Sequence, residues 1–203
     1  MVDLTKFNEQ EDVRPYVREP FKLGDYSYHT NGYICIRTEL DDKHQELELT
    51  ERNGKIVDRI SKLFSERDFY SNEFIQLPEL EDMTFEPCKH CNGVGKLDTC
   101  PECEGWCEVT ARTEFNEYEV PCKTCDETGK VKAEQATEDC AWCNGSGKIT
   151  GNYNEPVSCC GQHMSLGLAH KIADLPDLKV GFEKGIYVFK FNGGEGVLMP
   201  LNV

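Results

Sequence analysis

The sequence predicts an α+β protein, in which one antiparallel-sheet domain with packed helices is interrupted by an inserted cysteine-rich module. The first observation is that eight of the twelve cysteines fall into four C-x-x-C pairs between residues 88 and 143. The second is that strand and helix patterns lie on both sides of this region. Because neither flank has enough strands to close a sheet alone, we expect residues 1–85 and 150–203 to form one discontinuous domain around a module at 86–149.

The N-terminal flank predicts a hairpin followed by a helix. Residues 26–37 read YSYHTNGYICIR, and Asn-Gly between alternating apolar residues is the strongest short-range signal for a hairpin. Cys35 lies in the second strand, where we expect a small buried thiol rather than a nucleophile. Residues 54–66 then carry an apolar stripe with helical spacing, which is typical of a helix that packs on a core. The stripe consists of Ile56, Val57, Ile60, Leu63 and Phe64.

The C-terminal flank predicts a helix and a three-stranded meander. Residues 165–176, SLGLAHKIADLP, have helical character, and the helix is expected to stop before Pro176. Strands are predicted at 178–183, 186–191 and 196–201, with turn residues between them. Together the two flanks predict helices packed on antiparallel strands.

The four C-x-x-C pairs form an internal repeat. Two thiolates three residues apart can bind one ion when the backbone between them turns tightly. Glycines that follow allow positive φ and leave backbone N–H groups free to face the sulfurs. The repeats are CKHCNGVGK (88–96), CPECEGWC (100–107), CKTCDETGK (122–130) and CAWCNGSGK (140–148).

One pair supplies half of a tetrahedral site, so the four pairs predict two sites that bind two zinc ions. The second and third pairs have the spacing of a zinc ribbon, and residues 107–112 and 115–120 read as a hairpin that would bring them together. The first and fourth repeats both read C-x-x-C-N-G-x-G-K, which favours nested pairing. The predicted outer site is Cys88, Cys91, Cys140 and Cys143, and the predicted inner site is Cys100, Cys103, Cys122 and Cys125.

Three other interpretations of these cysteines stay open. Disulfides require an oxidising compartment, whereas residues 1–17 lack the apolar segment of a secretory signal, so we expect a cytoplasmic protein. A redox C-x-x-C normally stands alone near a βαβ pattern, which fourfold repetition does not resemble. Ligation of an iron–sulfur cluster by four thiolates is chemically possible. Paired C-x-x-C motifs with flanking glycines favour zinc in a closed all-sulfur tetrahedron.

The CxxCxGxG repeats resemble the cysteine-rich zinc domain of DnaJ-type chaperones over residues 86–149. The resemblance implies two zinc ions held with the same nested pairing. The second repeat has Cys107 in place of its last glycine, and the third has Glu127 in place of its first glycine. The sequence has no J domain and no His-Pro-Asp triplet. Stimulation of a partner ATPase is therefore not predicted, since a shared scaffold does not carry function with it.

The flanks resemble part of a bacterial sliding-clamp domain. The matching residues are Thr30-Asn31-Gly32 in the first hairpin and Leu198-Met199-Pro200-Leu201 near the end of the chain. The flanks have room for about one such domain, which is too little for a multidomain ring. The acidic charge is also wrong for a channel lined with DNA.

The net charge and the absence of known motifs argue against several classes of function. A net charge of −15 argues against direct binding of nucleic acid through its phosphates, and no apolar run of about 18 residues predicts a membrane span. The sequence contains no nucleotide-binding, protease or hydrolase motif. Because four cysteines per ion leave no open position for a reactant, we expect a protein that is not an enzyme.

The segment Cys159-Cys160-Gly161-Gln162-His163 is the one unusual cluster outside the repeats. It reads as a strand or loop edge with two semi-buried thiols, as a further metal half-site, or as a redox-active vicinal pair. The roles of Cys107, Cys159 and Cys160 stay open.

The leading hypothesis is a non-enzymatic intracellular zinc protein that acts by binding another protein. One alternative is a nucleic-acid transaction accessory, either derived from a clamp or mimicking DNA by its charge. The other is a thiol oxidoreductase that uses Cys159 and Cys160 or a pair of zinc ligands. The acidic composition and modular patchwork would suit a viral or mobile-element protein.

Overall fold

The computed structural model describes residues 4–9, 12–47, 51–70, 74–132 and 136–202, with the backbone alone at 51–53. Its helices are a 3-10 turn at Thr5–Phe7, α1 (Pro15–Arg18), α2 (Glu51–Ser65) and α3 (Leu166–Ala173). Its strands are β1 (Phe21–Leu23), β2 (Tyr26–Thr30), β3 (Ile34–Glu39), β4 (Gln45–Glu46), β5 (Phe85–Pro87), β6 (Lys96–Thr99), β7 (Glu108–Arg112), β8 (Glu117–Pro121), β9 (Lys130–Val131), β10 (Glu138–Asp139), β11 (Lys148–Thr150), β12 (Pro156–Cys159), β13 (Gln162–Ser165), β14 (Lys179–Glu183), β15 (Ile186–Phe191) and β16 (Gly194–Leu198). Helices and sheets are both present, with more strand than helix, which confirms the coarse prediction of a mixed α and β protein. Among the described residues, no helix is long and apolar enough to cross a bilayer.

The chain divides into two compact units. The flank unit comprises Met1–Met83 and Asn152–Val203, and the cysteine module comprises Thr84–Gly151. In the flank unit, seven strands form one sheet in the order β14-β15-β16-β3-β2-β1-β4, antiparallel except where β1 meets β4. Strand β16 pairs with β3, with Val197 opposite Cys35, so the C-terminal meander and the N-terminal hairpin share one sheet.

Side-chain alternation gives the flank unit two apolar layers, one on each face of its sheet. Ile172 of α3 is fully buried and belongs to the cluster that contains Tyr187 of β15. Phe64 of α2 belongs to the other cluster, which contains Val188, the next residue of β15. Because successive strand residues point to opposite faces, α3 and α2 cover opposite sides of the sheet. Cys35 is buried in the second cluster, and this burial raises the pKa of its thiol to about 12.

Two features of the flank unit differ from the expectations. The last strand was expected at 196–201, whereas β16 ends at Leu198, since Pro200 has no N–H to donate to a strand ladder. The hairpin of β12 and β13 was not expected from the sequence. It turns at Cys160 and Gly161, whose φ angles are 50° and 75°.

The cysteine module has only short strands. The strand orders are β10-β6-β9, β11-β5 and β7-β8. Its described residues form no large apolar cluster. One buried group consists of four cysteines and Leu97, with Ile149 packed against it. The other consists of four cysteines, with Val109 and Val131 packed against them. Cysteines therefore make up most of the buried interior of the module, whereas apolar side chains make up the interior of the flank unit.

Candidate metal centres

The structure brings the eight C-x-x-C cysteines into two groups of four. The outer site is Cys88, Cys91, Cys140 and Cys143, and the inner site is Cys100, Cys103, Cys122 and Cys125. Within each group the four Sγ atoms lie within 4.8 Å of one another, and all eight side chains are buried. These sets are the first repeat with the fourth and the second with the third, which is the nested arrangement expected from the sequence.

The distances between sulfurs match a single tetrahedral ion. In the outer site the Sγ–Sγ separation is 3.9 Å for Cys88–Cys140 and 3.7 Å for Cys91–Cys143. In the inner site it is 3.8 Å for Cys100–Cys122 and 3.7 Å for Cys103–Cys125. A Zn–S bond of about 2.3 Å in a regular tetrahedron separates the sulfurs by about 3.8 Å. A disulfide would place them about 2.05 Å apart, and all twelve cysteines are free thiols.

Each repeat adopts the same left-handed turn after its second cysteine. The residue that follows this cysteine has a φ between 47° and 53° in all four repeats; these residues are Asn92, Glu104, Asp126 and Asn144. Both glycine positions of the motif also have positive φ, which a residue without Cβ adopts at little cost. Cys107 and Glu127 stand at two of these positions with φ of 69° and 63°. These two departures from the motif therefore keep its positive φ angles, which costs backbone strain because both residues carry a Cβ.

The last glycine of the motif donates its N–H to a cysteine sulfur in three repeats. Gly95 donates to Cys91 at 3.2 Å. The equivalent distances are 3.3 Å from Gly129 to Cys125 and 3.3 Å from Gly147 to Cys143. Among the described residues, the second repeat, which has Cys107 at this position, shows no such bond. Burial opposes ionisation of Cys91, but the Gly95 N–H and neighbouring thiols outweigh it and lower the pKa of Cys91 to about 7.

The two repeats of each site also exchange backbone hydrogen bonds. In the outer site the Cys88 N–H donates to the Gly147 carbonyl at 2.8 Å, and the Cys140 N–H donates to the Gly95 carbonyl at 2.9 Å. The inner site repeats this exchange at 2.8 Å, from Cys100 to Gly129 and from Cys122 to Cys107. Each site is therefore a pair of similar turns related by an approximate two-fold axis.

The hairpin of β7 and β8 connects the two halves of the inner site. It was expected at 107–112 and 115–120, so the observed strands begin one and two residues later than expected. Val109 and Val120 lie opposite each other at its base, and Val109 packs against the four cysteines. Closing this hairpin brings Cys107 and Cys122 into backbone contact.

Comparison with known proteins gives no relative. No family profile, curated protein or solved structure matches this chain. The DnaJ-type and sliding-clamp resemblances thus depend on the sequence motifs that suggested them.

Among the described residues, no potential metal group includes Cys35, Cys107, Cys159 or Cys160. The Sγ atoms of Cys159 and Cys160 lie 3.7 Å apart, while the His163 side chain next to them is exposed. Burial raises the pKa of Cys159 to about 12. Burial and the nearby Cys103 and Cys125 also raise the pKa of Cys107.

One contact at the outer site was missed at the sequence level. The rings of His90 and Trp142 stack with centroids 4.0 Å apart and an interplanar angle of 9°. Each residue immediately precedes the second cysteine of its repeat. The sequence did contain a signal for this contact, since the two rings occupy equivalent positions in the two repeats that match best.

Proposed function

We propose that the chain is a two-zinc protein whose metal sites are structural, and that it acts by binding another protein. The observation that carries the proposal is the presence of two groups of four buried cysteines, each compact enough to surround one ion. Four sulfurs complete the tetrahedral shell that structural zinc prefers and leave no position for a reactant. Zinc held in this way would stabilise the module rather than perform chemistry.

The geometry supports a single ion in each site over an iron–sulfur cluster. A cluster distributes its thiolates over different iron atoms, which would spread the sulfurs further than the 4.8 Å limit found in both groups. The left-handed turns and N–H···S bonds support the proposal that the module is of the DnaJ type. Hydrogen bonds of this kind orient ligands and stabilise thiolates.

A protein partner is supported by the surface of the cysteine module. The module exposes large apolar side chains, which include Phe85, Val94, Trp106, Phe115, Tyr118 and Trp142. Exposed aromatic groups are enriched at protein interfaces, because they bury a large apolar area on contact. A thiol oxidoreductase that uses Cys159 receives less support, since the raised pKa of Cys159 keeps its thiol protonated at neutral pH.

Capture of a partner and reconstitution of the purified pair test this proposal. The zinc-loaded chain should bind its purified partner with defined stoichiometry in calorimetry. A double variant, Cys88→Ser with Cys100→Ser, should lose both zinc ions and the binding. An exposed control far from the cysteines in sequence, Val13→Ala, should keep both. Equal binding by the zinc-free variant would contradict a role for the module.

A further inference from the structure

The hairpin of β7 and β8 has two edges that no strand covers among the described residues. At one end the Thr113 N–H donates to the Asn116 carbonyl, and at the other the Cys122 N–H donates to the Cys107 carbonyl. Because antiparallel pairs alternate between bonded and non-bonded positions, Thr110 lies at a non-bonded position opposite Glu119. Its N–H and C=O therefore point away from β8, into the free edge of β7.

The two faces of this hairpin differ in chemistry. One face carries Ala111 opposite Tyr118, beyond the pair of valines at the base, and the Tyr118 side chain is half-exposed. The other face carries Glu108, Glu117 and Glu119, all exposed, together with Arg112, whose Nε lies 2.9 Å from Glu117 Oε1. Phe115 at the tip is 84% exposed. The hairpin thus has a partly exposed apolar face and, on its opposite side, a mainly acidic face.

Charge is distributed unevenly within the cysteine module. Residues 100–127, which contain the inner site and its hairpin, have eight acidic and two basic side chains. The remainder of the module, 84–99 and 128–151, has five of each. Four thiolates around one dication would add further negative charge at the inner site. A field of this sign attracts basic partners and increases their rate of association.

We propose that the free edge of β7 binds an extended segment of the partner protein in which basic and apolar residues alternate. An added strand would hydrogen-bond to the outward groups of β7. Its side chains would alternate between the two faces, so that apolar residues meet Ala111, with Tyr118 beyond it on β8, while lysine or arginine meets Glu108 on β7 and extends over Thr110 towards Glu119. The edge of β8 is less suited, because Pro121 has no N–H to donate. This inference deepens the proposed function, on which it rests.

The test uses the full zinc-loaded chain and two labelled peptides of about ten residues, followed by fluorescence anisotropy. In one peptide lysine and valine alternate, and in the other the same residues are arranged in two blocks. Thr110→Pro removes the outward N–H without touching the β7–β8 ladder, and Thr110→Val is the matched control that keeps it. Native mass spectrometry verifies that both variants retain two zinc ions, which shows that the module is folded.

The alternating peptide should bind the wild-type chain and Thr110→Val equally, and Thr110→Pro at least about tenfold more weakly. The block peptide should bind the wild-type chain more weakly than the alternating one. Equal binding of both peptides, or equal binding by the two variants, would show charge attraction alone and overturn the inference. If neither peptide binds the wild-type chain, the inference is also overturned.

The protein partner separates this inference from the proposed function. If the partner binds in a zinc-dependent way but Thr110→Pro binds it as well as Thr110→Val, the proposed function stands and the strand-edge inference is wrong. If the peptide binds at Thr110 but no protein binds in a zinc-dependent way, the edge is supported and the proposed function is wrong. Loss of the partner in Thr110→Pro alone supports both.

Discussion

The flank unit and the cysteine module use different means to hold a chain together. The flank unit buries large side chains such as Tyr187, Phe189 and Ile172 on two faces of a seven-stranded sheet. The module's two buried groups consist almost entirely of cysteines, with Leu97 as their one fully buried apolar companion among the described residues. Hydrophobic burial can stabilise the first unit, whereas the second buries little apolar area, which is why we propose that it depends on metal bound by its cysteines.

Removal of metal should give the largest difference in stability between the two units. A strong chelator should unfold the cysteine module and leave the flank unit folded, since structural zinc contributes about 10–16 kcal/mol of binding free energy in small zinc domains. Hydrogen exchange followed by mass spectrometry should show lost protection at the Cys88 and Cys122 amides, with Val188 and Val197 still protected. Added zinc should restore the pattern. Protection of the module without metal would contradict the proposed ligand role.

A core substitution should have the converse effect. Ile172→Ala removes a fully buried side chain between α3 and the sheet, which costs about 2–5 kcal/mol. Denaturant unfolding of the flank unit should shift to a lower midpoint while native mass spectrometry still finds two bound zinc ions. Val13→Ala, at a side chain that is 88% exposed, should change stability by less than about 0.5 kcal/mol. Zinc loss in Ile172→Ala would show that the units are not independent.

Glycine substitutions should distinguish a collision from backbone strain inside the module. Both Gly95 and Gly105 have positive φ, so alanine costs about 1–2 kcal/mol at either position. A Cβ at Gly95 would also collide with the Gly145 carbonyl, whereas one at Gly105 would meet only the Thr99 methyl at 3.4 Å. Competition with a chelator should therefore release zinc more readily from Gly95→Ala. Equal release would contradict the close approach of the two outer repeats.

The smallest expected effect is a gain in stability at the inner site. Cys107→Gly relieves the strain of a positive φ but loosens the unfolded chain, and the balance should be a gain of up to about 1 kcal/mol. Thermal unfolding of the zinc-loaded chain should show a small upward shift, and the zinc content should stay at two. Loss of an ion from Cys107→Gly would identify Cys107 as a ligand instead.

The sequence predicts the flank unit wherever its pattern is local. The Asn31–Gly32 turn and the apolar stripe of 54–66 depend on signals within a few residues, and both correspond to observed elements. The strand β4 has only two residues and pairs in parallel with β1, so no alternation could reveal it. The hairpin around Cys160 and Gly161 gives little local signal, because its strands have four residues each and Cys160, which is not a usual turn residue, takes a positive φ.

The candidate sites were more predictable than the strands around them. C-x-x-C spacing and the similarity of the first and fourth repeats were sufficient to suggest both groups of four. The strands β5, β6, β9, β10 and β11 have two to four residues each and form where the paired turns meet, so they leave no apolar period in the sequence. Exchange of N–H···O bonds between repeats likewise depends on tertiary pairing.

Native mass spectrometry of the purified chain and two single variants tests the central claim most directly. Two ions of zinc mass should be bound to the wild-type chain. Cys88→Ser should weaken the outer site and Cys100→Ser the inner site, so that each variant keeps one tightly bound zinc. An iron signature, an empty wild-type chain, or loss of both ions from either single change would contradict two independent four-cysteine zinc sites.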